Sequence, residues 1–279
     1  MVNNILISIV IPCYNDVQYV EQSVLSALNQ TYPNIEVIVV DDGSNAATKT
    51  VLKKLGPKIT KLIVQENQGQ STARNVGIKA AKGEFIVTLD SDDFFEPTFC
   101  EKAIEVFLNK RDTKIVTCYA NLLFEDKPSY VFKTLGGSIV NFLYLSDALG
   151  TSMFRKEDWE SCGAYDEGMR SGFEDWEFFI RLLKDGGTAE VIKEPLYNYR
   201  KRSNSTSVNA RKIKFELWKY ILTKHKNLYI AEFDTFVAQM LLKIEREEAE
   251  KIKNIERLEY KIGATVLKPL RFVKSLFNK

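Results

Sequence analysis

The apolar positions of the first ninety residues fall into short blocks separated by turn formers. Residues 6–11 are apolar and mostly β-branched apart from Ser8, residues 35–40 are again largely apolar, residues 61–64 follow a Gly-Pro break, and residues 84–89 form a fourth block. Blocks of this length and composition read as strands buried on both faces. Between them, residues 20–28 and 70–81 carry apolar side chains at helical spacing, the second run stopped by Gly83. The alternation predicts an α/β fold, a Rossmann-like, mostly parallel, doubly wound sheet with right-handed crossovers and helices on its flanks.

Further along, Pro97 opens a helix to about residue 109, and residues 114–124 suit a longer strand. From 136 to 166 the pattern is irregular, and loops and small strands are expected there, with short apolar runs at 140–145 and 151–154. Residues 174–183 read as a helix stopped at Gly186-Gly187, followed by short strands at 189–192 and 196–199. Beyond Asn209 the strand pattern vanishes. Phe236, Met240, Ile244, Ile252, Ile255, Leu258 and Ile262 recur with charges between them, as on long amphipathic helices. The expected division is therefore an α/β domain over residues 1–208 and a helical C-terminal extension over 209–279, with no internal repeat.

Composition narrows the chemistry. With 279 residues, 45% hydrophobic and 27% charged, the chain can bury a large core and is no disordered polymer. Its 39 basic and 37 acidic residues are too balanced for a protein whose main partner is a nucleic-acid backbone. Cys13, Cys100, Cys118 and Cys162 have no paired spacing, which points to reduced thiols in a cytosol and not to a zinc knuckle or a disulfide framework. The single histidine, His225, excludes any site needing two imidazoles and leaves base chemistry near neutral pH to carboxylates. His225 itself sits among Lys219, Lys224 and Lys226 and reads as structural. The N-terminus has no basic lead or cleavage site, and no apolar stretch approaches the roughly 20 residues that span a bilayer, so a cytoplasmic location is expected.

In an open parallel sheet, ligands bind beyond the carboxyl ends of the strands. Those ends carry Pro12-Cys-Tyr14-Asn15-Asp16, Asp41-Asp42-Gly43-Ser44, Glu66-Asn67-Gln-Gly69 and Asp90-Ser91-Asp92-Asp93. Asp, Asn and Gly are ordinary turn formers, but acidic clusters after two separate strands call for a further reason. Asp90 and Asp92 can face one hard cation if the backbone leaves the strand there, and a divalent ion bridging them to a diphosphate would account for the charge density. There is no G-x-G-x-x-G after the first strand and no G-x-x-x-x-G-K-[ST] anywhere, so metal and side chains must neutralise any bound phosphate. Two features stay open on pattern alone. Glu174-Asp175 is either an acidic first turn that stabilises its own helix by about 0.3–1 kcal/mol or a catalytic pair, and Trp176 is either helix core or an apolar wall for a sugar ring. Cys13 reads as a small filler.

The blocks Ser8-Ile-Val-Ile-Pro12-Cys-Tyr14-Asn15, Asp41-Asp42-Gly43-Ser44, Glu66-Asn67-Gln-Gly69-x-Ser71-x-Ala-Arg74-Asn75-x-Gly77 and Gly83-Glu-Phe-Ile-x-x-Leu-Asp90-Ser-Asp92-Asp93 together resemble family 2 glycosyltransferases of the GT-A fold. The resemblance continues through Phe154-Arg155, Gly163-Ala-Tyr165-Asp166-Glu167, Gly172-Phe-Glu174-Asp175-Trp176-Glu-Phe and Tyr199-Arg200, covering roughly residues 5 to 205 and not the tail. It implies that Pro12, Tyr14 and Asp42 hold the nucleoside, Tyr14 flanking the base and Asp42 accepting hydrogen bonds from it. It implies further donor contacts from Asn67, Arg74 and Ser91, with Arg74 near uracil or the phosphates. Asp90 then faces the ribose and the metal's hydration shell, Asp92 ligates Mn2+ or Mg2+ directly, and Asp175 matches the catalytic base of inverting members.

The implied activity is metal-dependent transfer of a sugar, with inversion, from a nucleotide diphosphate donor. A UDP-sugar is the expected donor, and the expected acceptor is a hydroxyl of a glycan or lipid-linked intermediate in surface-polysaccharide synthesis. Inversion needs a base on the face opposite the leaving group, and a carboxylate such as Asp175 is available for it. Many relatives add a C-terminal histidine to the metal or phosphate, whereas here Tyr199-Arg200 and Ser203 stand in that stretch, so Arg200 is expected to clamp the diphosphate as a fixed cation. Two alternatives fit less well. A sugar-phosphate nucleotidyltransferase would carry a glycine- and lysine-rich loop after the first strand, and a non-catalytic sugar-nucleotide-binding or scaffold module would have no use for both Asp92 and Asp175. In the tail, Lys261, Lys268, Arg271, Lys274 and Lys279 interleave with apolar residues and flank Pro269, which suits a helix on an anionic membrane surface or, alternatively, packing on the domain or in a homodimer through the C-terminal helices.

Overall fold

The computed structural model describes residues 4–124, 127–202, 205–257, 260, 262–263 and 265–267. Ser203, Leu258, Lys261 and the basic tail from Lys268 onward lie outside the described residues.

The elements follow in the order β1 (Ile7–Cys13), α1 (Val20–Leu28), β2 (Ile35–Asp42), α2 (Ala46–Leu55), β3 (Lys61–Gln65), α3 (Gln70–Ala80), β4 (Phe85–Thr88), β5 (Phe94–Phe95) and α4 (Phe99–Asn109). Then come β6 (Thr113–Phe124), β7 (Lys127–Phe132), α5 (Ile139–Phe142), β8 (Met153–Arg155), α6 (Lys156–Cys162), α7 (Glu174–Leu183) and β9 (Thr188–Arg200). The helices α8 (Thr206–Lys212), α9 (Lys214–Lys224), α10 (Lys226–Ala231) and α11 (Phe233–Glu256) complete the described chain. One nine-stranded sheet runs β3-β2-β1-β4-β8-β6-β9-β5, and β7 pairs antiparallel with the Ala120–Phe124 end of β6.

Strands β3, β2, β1 and β4 pair in parallel, as the alternation predicts. Strict alternation along β1 divides the core. Ile7, Ile9 and Ile11 face one layer with Val20 and Val24 of α1, Leu52 of α2 and Phe99 and Phe107 of α4. Val10 faces the other with Ala73 and Ile78 of α3, Trp159 of α6 and Phe178 and Phe179 of α7. Helix α3 lies unusually close to the sheet because Gly77 has no side chain: a Cβ there would meet Val10 Cγ1 at 2.4 Å. That close approach carries Arg74, three residues earlier, in under the end of β4.

The second half is more mixed than the first. Strand β8 pairs antiparallel with both β4 and β6, and β6 then runs parallel to β9. The two short strands expected at 189–192 and 196–199 are one element, β9, whose register against β6 slips around Tyr119, where Lys193-Glu194-Pro195 interrupts the pattern. Within the irregular region the structure adds the short helix α5 and the helix α6 to the expected small strand at β8. Helix α2, absent from the sequence reading because Lys49, Lys53 and Lys54 dilute its apolar stripe, is started by Asn45, whose side chain accepts from the Thr48 amide at 3.0 Å.

By its contacts the chain forms two compact units, Met1–Leu228 and Tyr229–Lys279. The second contains α11, a 24-residue helix with no buried residue that exposes Leu241, Leu242, Ile244, Ile252 and Ile255. Among the described residues no helix is long and apolar enough to cross a membrane.

Candidate functional site

The loops after β1 and β2 are fastened to each other. Asn15, at φ 61°, donates its amide to Ser44 Oγ at 3.1 Å and accepts the Asn45 amide on Oδ1 at 2.8 Å. Asp41 accepts the Ser44 amide at 2.9 Å. Pro12 is buried beneath this junction, while Tyr14 stands at its rim with 51% of its surface exposed, an aromatic face open to solvent.

Asp42 has a second task. Its carboxylate accepts Gln65 Nε2 at 2.7 Å and the amides of Gln68 and Gly69 at 2.8 and 2.9 Å. Three of its roughly four acceptor positions thus shape the loop that leads into α3. Asn67 completes the loop by donating to the Asp42 carbonyl at 3.1 Å, and its side-chain oxygen accepts Arg170 Nη2 at 3.2 Å.

At the end of β4 the backbone does leave the strand, in a turn closed by the Asp93 amide on the Asp90 carbonyl at 3.1 Å. Asp90 Oδ1 accepts Gln70 Nε2 at 2.7 Å and Arg74 Nη2 at 2.8 Å. The other arm of Arg74 reaches Glu174 Oε1 at 2.7 Å. With 2% of its side chain exposed, Arg74 is enclosed between the two carboxylates and over the Tyr165 ring, and is not laid open to a ligand. The donor contact expected of it is therefore replaced by a bracing one. Burial would lower its pKa, but Asp90 and Glu174 outweigh burial and raise it, so the guanidinium stays charged.

Asp175 follows at the first turn of α7. Burial, with the Glu174 carboxylate adding to it, pushes its carboxyl up to about 6 against the opposing pull of Arg74. Its Oδ1 accepts the Trp176 amide at 2.8 Å, and Oδ2 lies so close to Gly150 that a Cβ on that glycine would come within 2.6 Å. Trp176 is core: it is buried, and its Nε1 donates to the Phe142 carbonyl at 2.6 Å. One residue on, the fully buried Glu177 binds Arg181, Lys224 at 2.9 Å and His225 at 2.9 Å, which gives the lone histidine a structural place.

The cation expected at Arg200 is displaced by two residues. Arg200 is buried, donates to the Asp92 carbonyl and to Gln22 Oε1, and packs over the rings of Tyr19 and Phe94 at 4.8 and 5.0 Å. Its amide holds Asp93, whose other oxygen accepts the Tyr197 hydroxyl. The side chain that faces the acidic turn is Arg202, 36% exposed, which pairs with Asp92 Oδ2 and, at 2.8 Å, with Asp16 Oδ1. Asp16 Oδ2 in turn accepts Ser91 Oγ at 2.5 Å. Neither Asp16 nor Arg202 stands out in the sequence: Asp16 closes the Pro12–Asp16 loop, and Arg202 follows Tyr199-Arg200 in a stretch that has no histidine.

Whether this edge suits a divalent cation follows from its donors. Burial, with the Asp90 carboxylate adding to it, pushes Asp92 up to about 6 against the opposing pull of Arg202. Among the described residues no three His, Cys, Asp or Glu side chains converge. Asp90 and Asp92 therefore fit a hard ion that keeps several water or substrate oxygens in its shell.

Known proteins carry the same framework. A model of glycosyl transferase family 2 matches residues 8–156. TuaG of Bacillus subtilis, named for teichuronic acid biosynthesis, is 30% identical over 216 residues, covering 76% of this chain and 86% of TuaG. A glycosyltransferase of Rickettsia typhi is 43% identical over 125 residues, which span 45% of this chain and only 39% of that protein. Staphylococcus aureus TarS in complex with UDP-GlcNAc superposes with a TM-score of 0.61 at 22% identity, over 74% of this chain and 61% of TarS. The mannosyltransferase PcManGT of Pyrobaculum calidifontis, in complex with GDP-Man and Mn2+, superposes with a TM-score of 0.58 at 18% identity, over 98% and 87% of the two chains. At these identities the two structures speak for a shared GT-A fold.

Proposed function

The chain belongs to glycosyl transferase family 2, and on the geometry of its sheet edge we propose that it transfers a sugar, with inversion, from a UDP-sugar to a hydroxyl of a glycan or lipid-linked acceptor in surface-polysaccharide synthesis. The observation that carries this reading is the Asp90–Arg74–Glu174 bridge, because it puts the acidic turn and the Asp175 helix at one place. The relative named for teichuronic acid biosynthesis and the neighbour bound to UDP-GlcNAc support the choice of pathway class and of nucleotide. Peripheral attachment to the inner face of a membrane, which would bring a lipid-linked acceptor near, belongs to the same proposal.

In this reading Tyr14 stacks on the base and Asp42 offers it one remaining acceptor position, with Pro12, Asn67 and Ser91 shaping the pocket wall. Asp90 and Asp92 would hold Mn2+ or Mg2+, which when bound would supply positive charge against the leaving diphosphate. Asp175 takes the proton from the acceptor hydroxyl as that oxygen attacks the anomeric carbon from the side opposite the diphosphate. A pKa of about 6 keeps it ionised at neutral pH while leaving it basic enough for the task. Arg74 fixes the two acidic groups relative to each other, and Trp176, anchored on Phe142, stiffens the helix that carries the base.

A panel of UDP-, GDP- and dTDP-sugars, assayed with and without Mn2+ for release of the nucleoside diphosphate, tests the reading. UDP release from one UDP-sugar, dependent on Mn2+ and lost in Asp92→Ala, is expected. Indifference to every donor would overturn it.

A further inference from the structure

We propose that Arg202 is an exchangeable counter-ion of the acidic turn: it holds Asp92 while no divalent cation is there, yields Asp92 to the cation, and passes to the distal phosphate of the donor. This rests on the sugar-nucleotide reading above. The guanidinium spans Asp92 and Asp16, and its buried Nε has no hydrogen-bond partner. Placed between two carboxylates, it is neutralised and has little charge to offer a diphosphate. Once a cation takes Asp92, one of the two pairings is gone, and one edge of the guanidinium becomes free for bidentate binding of phosphate oxygens.

Asp16 supplies what such an exchange requires. Its second oxygen is held by Ser91 at 2.5 Å, so the carboxylate stays fixed and keeps Arg202 within reach after Asp92 is released. The Tyr19 ring, 5.5 Å from the Arg202 guanidinium and 4.8 Å from that of Arg200, gives the side chain a surface to slide along. Arg200 cannot make this exchange, because both ends of its guanidinium are bound in the protein interior, to the Asp92 carbonyl and to Gln22. Cation and diphosphate therefore bind cooperatively, each lowering the cost of displacing the same ion pair.

The experiment compares wild type with Arg202→Gln and Arg202→Lys, using electron paramagnetic resonance of free Mn2+ with no nucleotide present and calorimetry of UDP and UMP at saturating Mn2+. Arg202→Gln removes the competitor and is expected to tighten Mn2+ alone by about threefold, the scale of one part-exposed ion pair. The same variant is expected to bind UDP about tenfold more weakly, the scale of one charged hydrogen bond, with UMP within twofold of wild type. Arg202→Lys keeps the competing charge, so its Mn2+ affinity stays near wild type while its UDP affinity falls between the other two. Weaker or unchanged Mn2+ binding in Arg202→Gln, or equal losses of UMP and UDP, would overturn the exchange. If the wild type binds Mn2+ but no UDP, the sugar-nucleotide reading has failed instead, and the Mn2+ comparison still decides whether Arg202 competes for Asp92.

Discussion

Arg74 meets Glu174 at 2.7 Å although the two residues are 100 positions apart in the chain, and through its other arm the same guanidinium holds Asp90. One buried cation thus sets the distance between the turn assigned to the metal and diphosphate and the helix assigned to the base. Replacing it with Met leaves two carboxylates short of a partner. Since breaking a buried pair costs about 3–5 kcal/mol, urea denaturation of Arg74→Met is expected to show a loss of that size. Arg74→Lys keeps the charge but cannot bridge both partners. Because the Arg74 charge draws the Asp175 pKa down, the acid limb of the transfer rate is expected to move to higher pH in Arg74→Met and less in Arg74→Lys, and an unmoved limb in Arg74→Met would show that Arg74 does not act on Asp175.

Gly150 makes room for Asp175, the proposed base. In Gly150→Ala the new methyl would meet Asp175 Oδ2 at 2.6 Å and push the carboxylate aside. The expected result is a fall in kcat of about tenfold or more with the donor KM little changed, since misplacement of a catalytic group by a fraction of an ångström affects the chemical step and not nucleoside binding. A change confined to KM would mean that Gly150 serves the donor.

In the proposed function the exposed ring of Tyr14 serves the base and not the phosphates. Stacking of a base on an aromatic ring contributes about 1–3 kcal/mol, so Tyr14→Ala is expected to weaken UMP, UDP and UDP-sugar by one common factor. Calorimetric titration of the three ligands checks it, and a loss seen with UDP but not UMP would contradict stacking.

The cluster around Glu177 makes an acid-stability prediction. Burial pushes its pKa up, but His225, Arg181 and Lys224 outweigh burial and bring it to about 2, below the usual 4.5. A carboxylate with a lowered folded pKa contributes stability that is present in full above 4.5 and is lost as pH falls from there through about 2. That contribution is on the order of 3 kcal/mol. Melting temperatures measured from pH 6 to pH 3 are expected to fall less steeply in Glu177→Gln, which starts from a lower value, than in wild type.

Much of the site edge was legible in the sequence because turn chemistry is local. Asp-Asp-Gly-Ser, Asn-Gln-Gly and Asp-Ser-Asp-Asp each close a loop at the end of an apolar block, and the structure lines those loops up on one side. What the sequence could not display is partnership across distance. Arg74 read as a donor contact because its motif lies in a donor loop, yet burial against Glu174 makes it a brace. Arg200 and Arg202 are equally basic in sequence, and only the end of β9 separates them: Arg200 closes the strand, buried over Tyr19 and Phe94, while Arg202 lies beyond it and turns toward Asp16 and Asp92. Strand β7 carries no clear strand pattern because Lys127, Pro128 and Ser129 break it, and its pairing is with β6.

The central claim, inverting transfer with Asp175 as base, is tested most directly by proton NMR of the product formed from an α-linked UDP-sugar by wild type and by Asp175→Asn. The account predicts a β-configured product from wild type, while Asp175→Asn binds UDP as wild type does and forms no product. An α-configured product, or transfer by Asp175→Asn at the wild-type rate, would contradict it.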